Sequence, residues 1–374
     1  MRSPLLSFLY YAGVMLLPAV ALFGQAPSEA QYKSSLNAAL DSLTARWSQL
    51  PRHPVIFNGN INLAHGLAIK RTPIKALFEY IDGLKAAGVQ RIEFNPGLSS
   101  IDDPAAMEKY DLVVKHIREA GLPLEINPVY ANIGNMKSDV EVQNFRQFAG
   151  PAVKACAGFA GRYHPEYLVV VHEPVTMAAR MRLQVRPHAW AAYVQAAIRA
   201  VKQASPSTRV GAGGVYYDLP NYQAFAAIPE LDFLTMDIYD EKHFDIYDQM
   251  AQIAHTANKP VFIEETWRTA FIAPGQANAL HRGIEPLSIK GTGNGTFEEL
   301  DAKWIRAIAL YASTHQIEAI TPFWTQALFL YVTSGPDHGT DGEYNQRVIQ
   351  ALDQGQHTKL FDVYRSLVQE FGKR

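Results

Sequence analysis

Two short apolar runs in this chain end on glutamate, and both endings are chemically unusual. The run from Tyr167 to Val171 leads straight into His172 and Glu173, with Pro174 closing it; the run from Pro260 to Ile263 leads into Glu264, Glu265, Thr266 and Trp267. A strand apolar enough to be buried on both faces does not normally terminate in charge. Two carboxyl groups carried to one rim suit glycosidic bond cleavage. One acid protonates the leaving oxygen, while a second, ionised one attacks the anomeric carbon or activates water. The competing role for such glutamates is to hold loops through salt bridges. From residue types alone, either Glu264 or Glu265 could partner Glu173.

Positioning these groups requires a scaffold, and the chain supplies a regular one. Eight short runs rich in Val, Ile and Phe alternate with amphipathic stretches: Val55 to Asn60, Arg91 to Asn95, Leu122 to Val129, Leu168 to Glu173, Arg209 to Val215, Phe233 to Tyr239, Pro260 to Glu265 and Ala319 to Thr325. That alternation is the pattern of parallel strands with crossover helices. Trp190, Tyr193, Val194, Ala197, Ile198 and Val201 fall on one face at helical spacing, as do Leu360, Tyr364, Leu367, Val368 and Phe371. Gly88, Gly121 and the Lys259-Pro260 step stand where helices should stop. Eight strand–helix units predict an α/β fold, a (β/α)8 TIM barrel, with an extra N-terminal helix over about Ser28 to Leu50; an open doubly wound sheet is the alternative. No linker divides the chain, so residues 27–374 read as a single catalytic domain. The long non-periodic stretches Arg268 to Phe297 and Ala327 to Tyr344 each follow a strand, which places them on the barrel face where active sites lie.

Composition narrows the partners. With 34 Lys and Arg against 36 Asp and Glu, spread along the chain, there is no electrostatic footprint for nucleic acid or an anionic membrane. Met1 to Gly24 has the layout of a signal peptide: Arg2, an uncharged apolar run from Leu5 to Leu22, then small and polar residues. Removal of residues 1–26 implies a secreted or periplasmic protein with no stable membrane insertion afterwards; an uncleaved anchor is the other reading of the same run. Cys156, the one cysteine, permits no internal disulfide and reads as a buried small hydrophobe. No His-x-His and no His-Glu-x-x-His occurs, so neither a metal nor a cofactor is expected.

The segments His172-Glu173-Pro174 and Lys259 to Trp267 resemble the glycoside hydrolases of clan A, whose acid/base follows an Asn or His at the end of strand four and whose nucleophile ends strand seven. His-Glu at the former position is similar to family 26 of that clan. The resemblance selects Glu265 over Glu264 as nucleophile and makes Glu173 the acid/base. It implies a retaining mechanism without cofactor, for which the carboxyl groups stand about 5 to 5.5 Å apart. It further implies that Tyr239, ending strand six, hydrogen-bonds the nucleophile, and that Trp324, ending strand eight, underlies the sugar being cleaved. His172 and Trp267 adjoin the two glutamates, and Asn95 and Tyr130 end strands two and three, as Asn58, Asn60, Asn127, Tyr216 and Tyr217 end others. Uncharged donors and acceptors of this kind suit a hydroxyl-rich ligand. The Arg that several clan families carry at the end of strand two is missing, since Arg91 comes too early. The expected partner is an oligo- or polysaccharide; a barrel that binds carbohydrate without cleaving it is the rival expectation, and oligomeric state is left open.

Overall fold

The computed structural model describes residues 29–129, 143–268, 297–331 and 341–373. The N-terminal stretch read as a signal peptide, Tyr130 and most of the two long stretches after strands seven and eight lie outside the described residues. Helix α1 (Glu29–Trp47) precedes eight strands: β1 (Ile56–Asn60), β2 (Arg91–Phe94), β3 (Leu124–Ile126), β4 (Tyr167–Val171), β5 (Arg209–Val215), β6 (Phe233–Ile238), β7 (Val261–Thr266) and β8 (Ala319–Pro322). Each strand pairs in parallel with its neighbours in chain order, and β8 returns to β1 to close the barrel. Around it run α2 (Ile74–Ala86), α3 (Pro104–Glu119), α4 (Phe145–Tyr163), α5 (Pro174–Arg180), α6 (Pro187–Ala204), α7 (Leu219–Ala226), α8 (Phe244–Thr256), α9 (Glu298–Thr314), α10 (Asp341–Asp353) and α11 (Lys359–Phe371).

The helices bury the faces their periodicity marks. On α6 the buried set is Trp190, Tyr193, Val194, Ala197, Ile198 and Val201. On α11 it is Leu360, Phe361, Tyr364, Leu367 and Phe371, with Val368 only partly covered. The extra helix α1 packs on α9 and ends in Trp47, fully buried 4.7 Å from Phe244 and 5.0 Å from Tyr311, ring centre to ring centre. Burying so large a ring contributes on the order of 3 kcal/mol, which ties the helix to the barrel. Cys156 is buried in α4, where burial pushes its thiol up to about 12 and leaves it unreactive. Among the described residues, no helix is long and apolar enough to cross a membrane.

The barrel interior is layered. At one end Tyr167, Val169, Phe233, Phe262 and Ala319 make an apolar plug. Gly211 on β5 leaves room for it, since a Cβ there would lie 2.1 Å from the Phe233 ring; at Gly213 a Cβ would lie 1.9 Å from the Thr235 carbonyl oxygen in the next layer. Above the plug the interior turns polar, with Asn58, Arg91, Glu93, Glu125, Thr235, Glu264 and Thr321 all at 1% exposure or less. Arg91 spreads its guanidinium over Tyr167 and Phe262 and pairs with Glu125 at 3.0 Å. One guanidinium cannot balance three carboxylates shut away from water. Burial, reinforced by Glu125, pushes Glu93 up to about 8, and burial likewise raises Glu125 and, well above its usual range, Glu264.

That proton loading makes stability pH-dependent. The Glu93 carboxyl keeps its proton in the folded state up to about 8, whereas its ordinary value is 4.5. Between these limits the unfolded chain binds fewer protons, so the stabilisation is complete below 4.5 and drains away as pH rises towards 8. Calorimetry from pH 5 to 8 should show Tm falling in the wild type and falling less steeply in Glu93→Gln, which carries no titrating proton. Parallel slopes would rule out Glu93 as a source.

Candidate active site

Irregularities in two strands put the functional groups where they are. On β4, Val169 pairs with Gly211 but Val171 already pairs with Ala212, so Val170 is an extra residue. On β7, Ile263 pairs with Met236 but Glu265 pairs with Asp237, so Glu264 is the extra residue, and the β8 side shows the same slip. Bulges of this kind re-aim side chains. Tyr167 and Val169 face the interior, so strict alternation would turn His172 outward; the added residue brings it in. Phe262 also faces the interior, and the Glu264 bulge allows Glu264 and Glu265 to point inward together. Glu264 stops in the polar layer, accepting a hydrogen bond from Asn127 Nδ2 at 3.2 Å, while Glu265 reaches the mouth.

At the mouth, His172 Nε2 lies 3.1 Å from Glu265 Oε1 and 3.1 Å from Asp237 Oδ2. Neither approach has the alignment of a hydrogen bond, so the coupling is electrostatic. Tyr239 donates its phenolic proton to Glu265 Oε2. Burial alone would raise the Glu265 carboxyl, but His172 and Tyr239 outweigh it and hold the group below its ordinary value. Burial works against a charged His172 too, and again the two carboxylates prevail, lifting the imidazole well above its usual range. Burial pushes Asp237 upward, with the charges of Glu265 and Glu173 adding to it against the pull of His172. The resulting pair is an imidazolium beside an ionised Glu265.

Glu173 follows β4 directly and is half-buried. Its charge reaches Tyr217, Asp218, Asp237 and Tyr239, and the last two also feel Glu265, so both glutamates act on one space. The backbone behind Glu173 is clamped: Asp218, beyond β5, accepts hydrogen bonds from the Val175 N–H at 3.2 Å and the Asn221 side chain at 2.5 Å. Burial raises Asp218 to about 7. Tyr217 lies beside the same turn, its hydroxyl 3.2 Å from that of Thr176, and Tyr216 stacks on His243 at 3.9 Å.

The sequence reading brings together His172, Glu173, Tyr239 and Glu265 at this mouth, with Trp324 partly buried and edge-on to Phe323, their ring centres 4.6 Å apart. It places others on an open rim where the structure closes them off. Trp267 is 2% exposed and donates its indole N–H to Asp301 on α9 at 2.9 Å, so it anchors the start of the loop after β7. Asn95 is 1% exposed, accepting from Asn60 and donating to Glu93, both at 2.6 Å; Asn58 and Asn127 are drawn into the interior network in the same way. The physical reason is that buried carboxyl groups need donors, and the strand-end asparagines supply them. His65 and Asp218 sit on turns, off the strand-end pattern; His65, buried and within the field of Glu265, lies between two 3-10 turns after β1.

His172, Asp237 and Glu265 also offer ligand atoms within 4.8 Å of one another, the single such grouping among the described residues.

No protein-family model matches the chain, and no curated protein matches it. Solved structures do. GH5_18 from Bifidobacterium longum subsp. longum aligns with a TM-score of 0.60 at 10% identity, over 85% of this chain and 79% of the other. GH5_18 from Streptomyces cattleya, described in complex with GlcNAc, aligns with a TM-score of 0.57 at 11% identity, over 86% and 81%. The exo-beta-1,4-mannosidase Op5Man5 from Opitutaceae bacterium strain TAV5 aligns with a TM-score of 0.57 at 12% identity, over 84% of this chain and 59% of that one. At such low identity these likenesses speak for the fold, and the fold they share with this chain is the closed eight-stranded barrel.

Proposed function

We propose that this protein is a secreted or periplasmic glycoside hydrolase of the clan A type, cleaving a β-linked oligo- or polysaccharide with retention of configuration. Glu265 serves as nucleophile and Glu173 as acid/base. One observation carries the reading: of the glutamates lining the barrel from within, Glu265 is the one held below its ordinary value, by His172 and Tyr239, while Glu93, Glu125 and Glu264 are raised. A nucleophile must be ionised when substrate arrives. In the first step Glu265 attacks the anomeric carbon as Glu173 passes its proton to the departing oxygen. In the second, Glu173 takes a proton from water, and that water displaces Glu265. Tyr239 and His172 both hold the attacking oxygens, and Trp324 offers an aromatic face to the sugar. The names of the barrels with the same fold, an exo-beta-1,4-mannosidase among them, support a glycoside substrate and put β-mannosides first in a screen.

The test is hydrolysis of a panel of polysaccharides and nitrophenyl glycosides by the purified protein, with the product anomer followed by NMR. A β-linked substrate should first release the β-anomer. Release of the α-anomer would remove the nucleophile role from Glu265, and no cleavage across the panel would leave the enzyme reading without support.

A further inference from the structure

His172 follows β4, Asp237 lies on β6 and Glu265 on β7, and the reaction above leaves the geometry of their meeting unexplained. His172 Nε2 is 3.1 Å from Asp237 Oδ2 and 3.1 Å from Glu265 Oε1, yet it lines up with neither as a hydrogen-bond donor. Asp237 is 1% exposed, and neither of its oxygens receives a hydrogen bond. A buried carboxylate left in that condition is costly. The group is also held in place from behind. Asp237 and Glu265 are register partners on adjacent strands, a pairing set by the Glu264 bulge. Tyr239 occupies Glu265 Oε2, which keeps Oε1 turned towards His172. No spacing motif announces this convergence, because each side chain comes from a different strand.

The separations suit a metal ion better than a shared proton. A proton stands about 1 Å from its nitrogen and needs an acceptor nearly in line. Zn2+ stands about 2.0–2.1 Å from an imidazole nitrogen and about 2.0–2.2 Å from carboxylate oxygens, so its tetrahedral ligands are roughly 3.3–3.5 Å apart and off one another's axes. The two 3.1 Å edges fall short of that by only a few tenths of an ångström, and all three ligand atoms lie within 4.8 Å of one another. One imidazole with two carboxylates is a donor set that Zn2+ accepts, and three protein ligands leave its fourth position open. From this convergence we infer that His172, Asp237 and Glu265 form a Zn2+ site at the barrel mouth, and that an ion held there blocks hydrolysis by engaging the nucleophile oxygen. The ion takes the place of the proton on Nε2, which passes to solvent. The binding half goes beyond the hydrolase reading; the blocking half rests on it.

Tag-free protein, stripped of metal by dialysis against EDTA, would be titrated with Zn2+ by calorimetry and with Co2+ by visible absorption, beside Asp237→Asn and Glu265→Gln, which keep the side-chain shapes. The wild type should bind Zn2+ at this site and gain Tm from it, and Co2+ there should give the intense visible bands of a low-coordinate ion. Either substitution should weaken binding by roughly a hundred-fold or more, since even the partners behind metal ligands are worth about 10- to 100-fold. X-ray absorption of the Zn2+-loaded wild type, which needs no variant, should show a single imidazole with oxygen for the rest. On a glycoside that the wild type cleaves, Zn2+ should inhibit in competition with substrate, and EDTA should restore the rate. No binding by the wild type, equal binding by folded Asp237→Asn, or a spectrum with sulfur or several imidazoles would overturn the site. Zn2+ bound there that left kcat/KM unchanged or raised it would overturn the blocking role. Cleavage of no glycoside at all would count against the hydrolase reading, while the titrations and the spectrum would still decide the site.

Discussion

Glu265→Ala should abolish turnover, with kcat falling by about 10^4-fold or more while the barrel stays folded, and Glu173→Ala should be nearly as damaging on substrates with poor leaving groups. The two losses are separable because the groups act at different moments. Without Glu173, a substrate with an activated nitrophenolate leaving group still loses it unaided, so the first step survives and the second stalls. Added azide then enters from the face that water would use and yields a β-glycosyl azide. Without Glu265 there is no covalent intermediate, and azide instead occupies the space of the missing carboxylate and yields the α-product. The measurement is rate and product anomer with and without azide. If Glu264→Ala reproduced the Glu265→Ala result with the fold intact, the roles of these neighbours would have to be exchanged. Glu264 is fully enclosed, and burial raises its carboxyl well above the usual range, so its loss should register in stability instead.

His172→Gln should lower kcat/KM at neutral pH by roughly ten- to a hundred-fold, and it should displace the acidic limb of the pH profile towards higher pH. The sign follows from the charges. His172 is cationic because Glu265 and Asp237 flank it, and with Tyr239 it offsets the burial that would otherwise raise Glu265. Deleting the cation leaves that burial opposed by fewer partners, so Glu265 takes up a proton at higher pH than before and a larger share of the enzyme is inactive at a given acidity. That loss corresponds to about 1.4–2.7 kcal/mol of transition-state stabilisation. A limb that stayed in place while kcat fell would mean that His172 acts by steric positioning alone.

How much of this was legible in the residues depends on whether local pattern or register decides. The strands could be read because their apolar runs alternate with helical stripes, as the match of Trp190 to Val201 with the buried face of α6 illustrates. Boundaries shifted where a run outlasts its ladder: Leu122 to Val129 contains only Leu124–Ile126 as strand, since Pro123 and Pro128 limit backbone pairing. The pair Glu173 and Glu265 could be read because charge after an apolar strand is conspicuous. That Glu264 belongs to the interior, and that Asn58, Asn95 and Asn127 serve it rather than a ligand, could not be read. Both follow from one extra residue in β7 and from an interior layer assembled by strands far apart in sequence.

The bulge at Glu264 also bears on how such a site could be gained or lost over generations. Exchanging side chains at 264 and 265 changes what stands at each place but not which places look inward. Removing a single codon from this stretch would instead restore plain two-residue alternation, leaving one inward-facing place where the bulge now provides two. Loss of chemistry in related barrels is therefore to be sought in the length of the seventh stave as much as in its lettering.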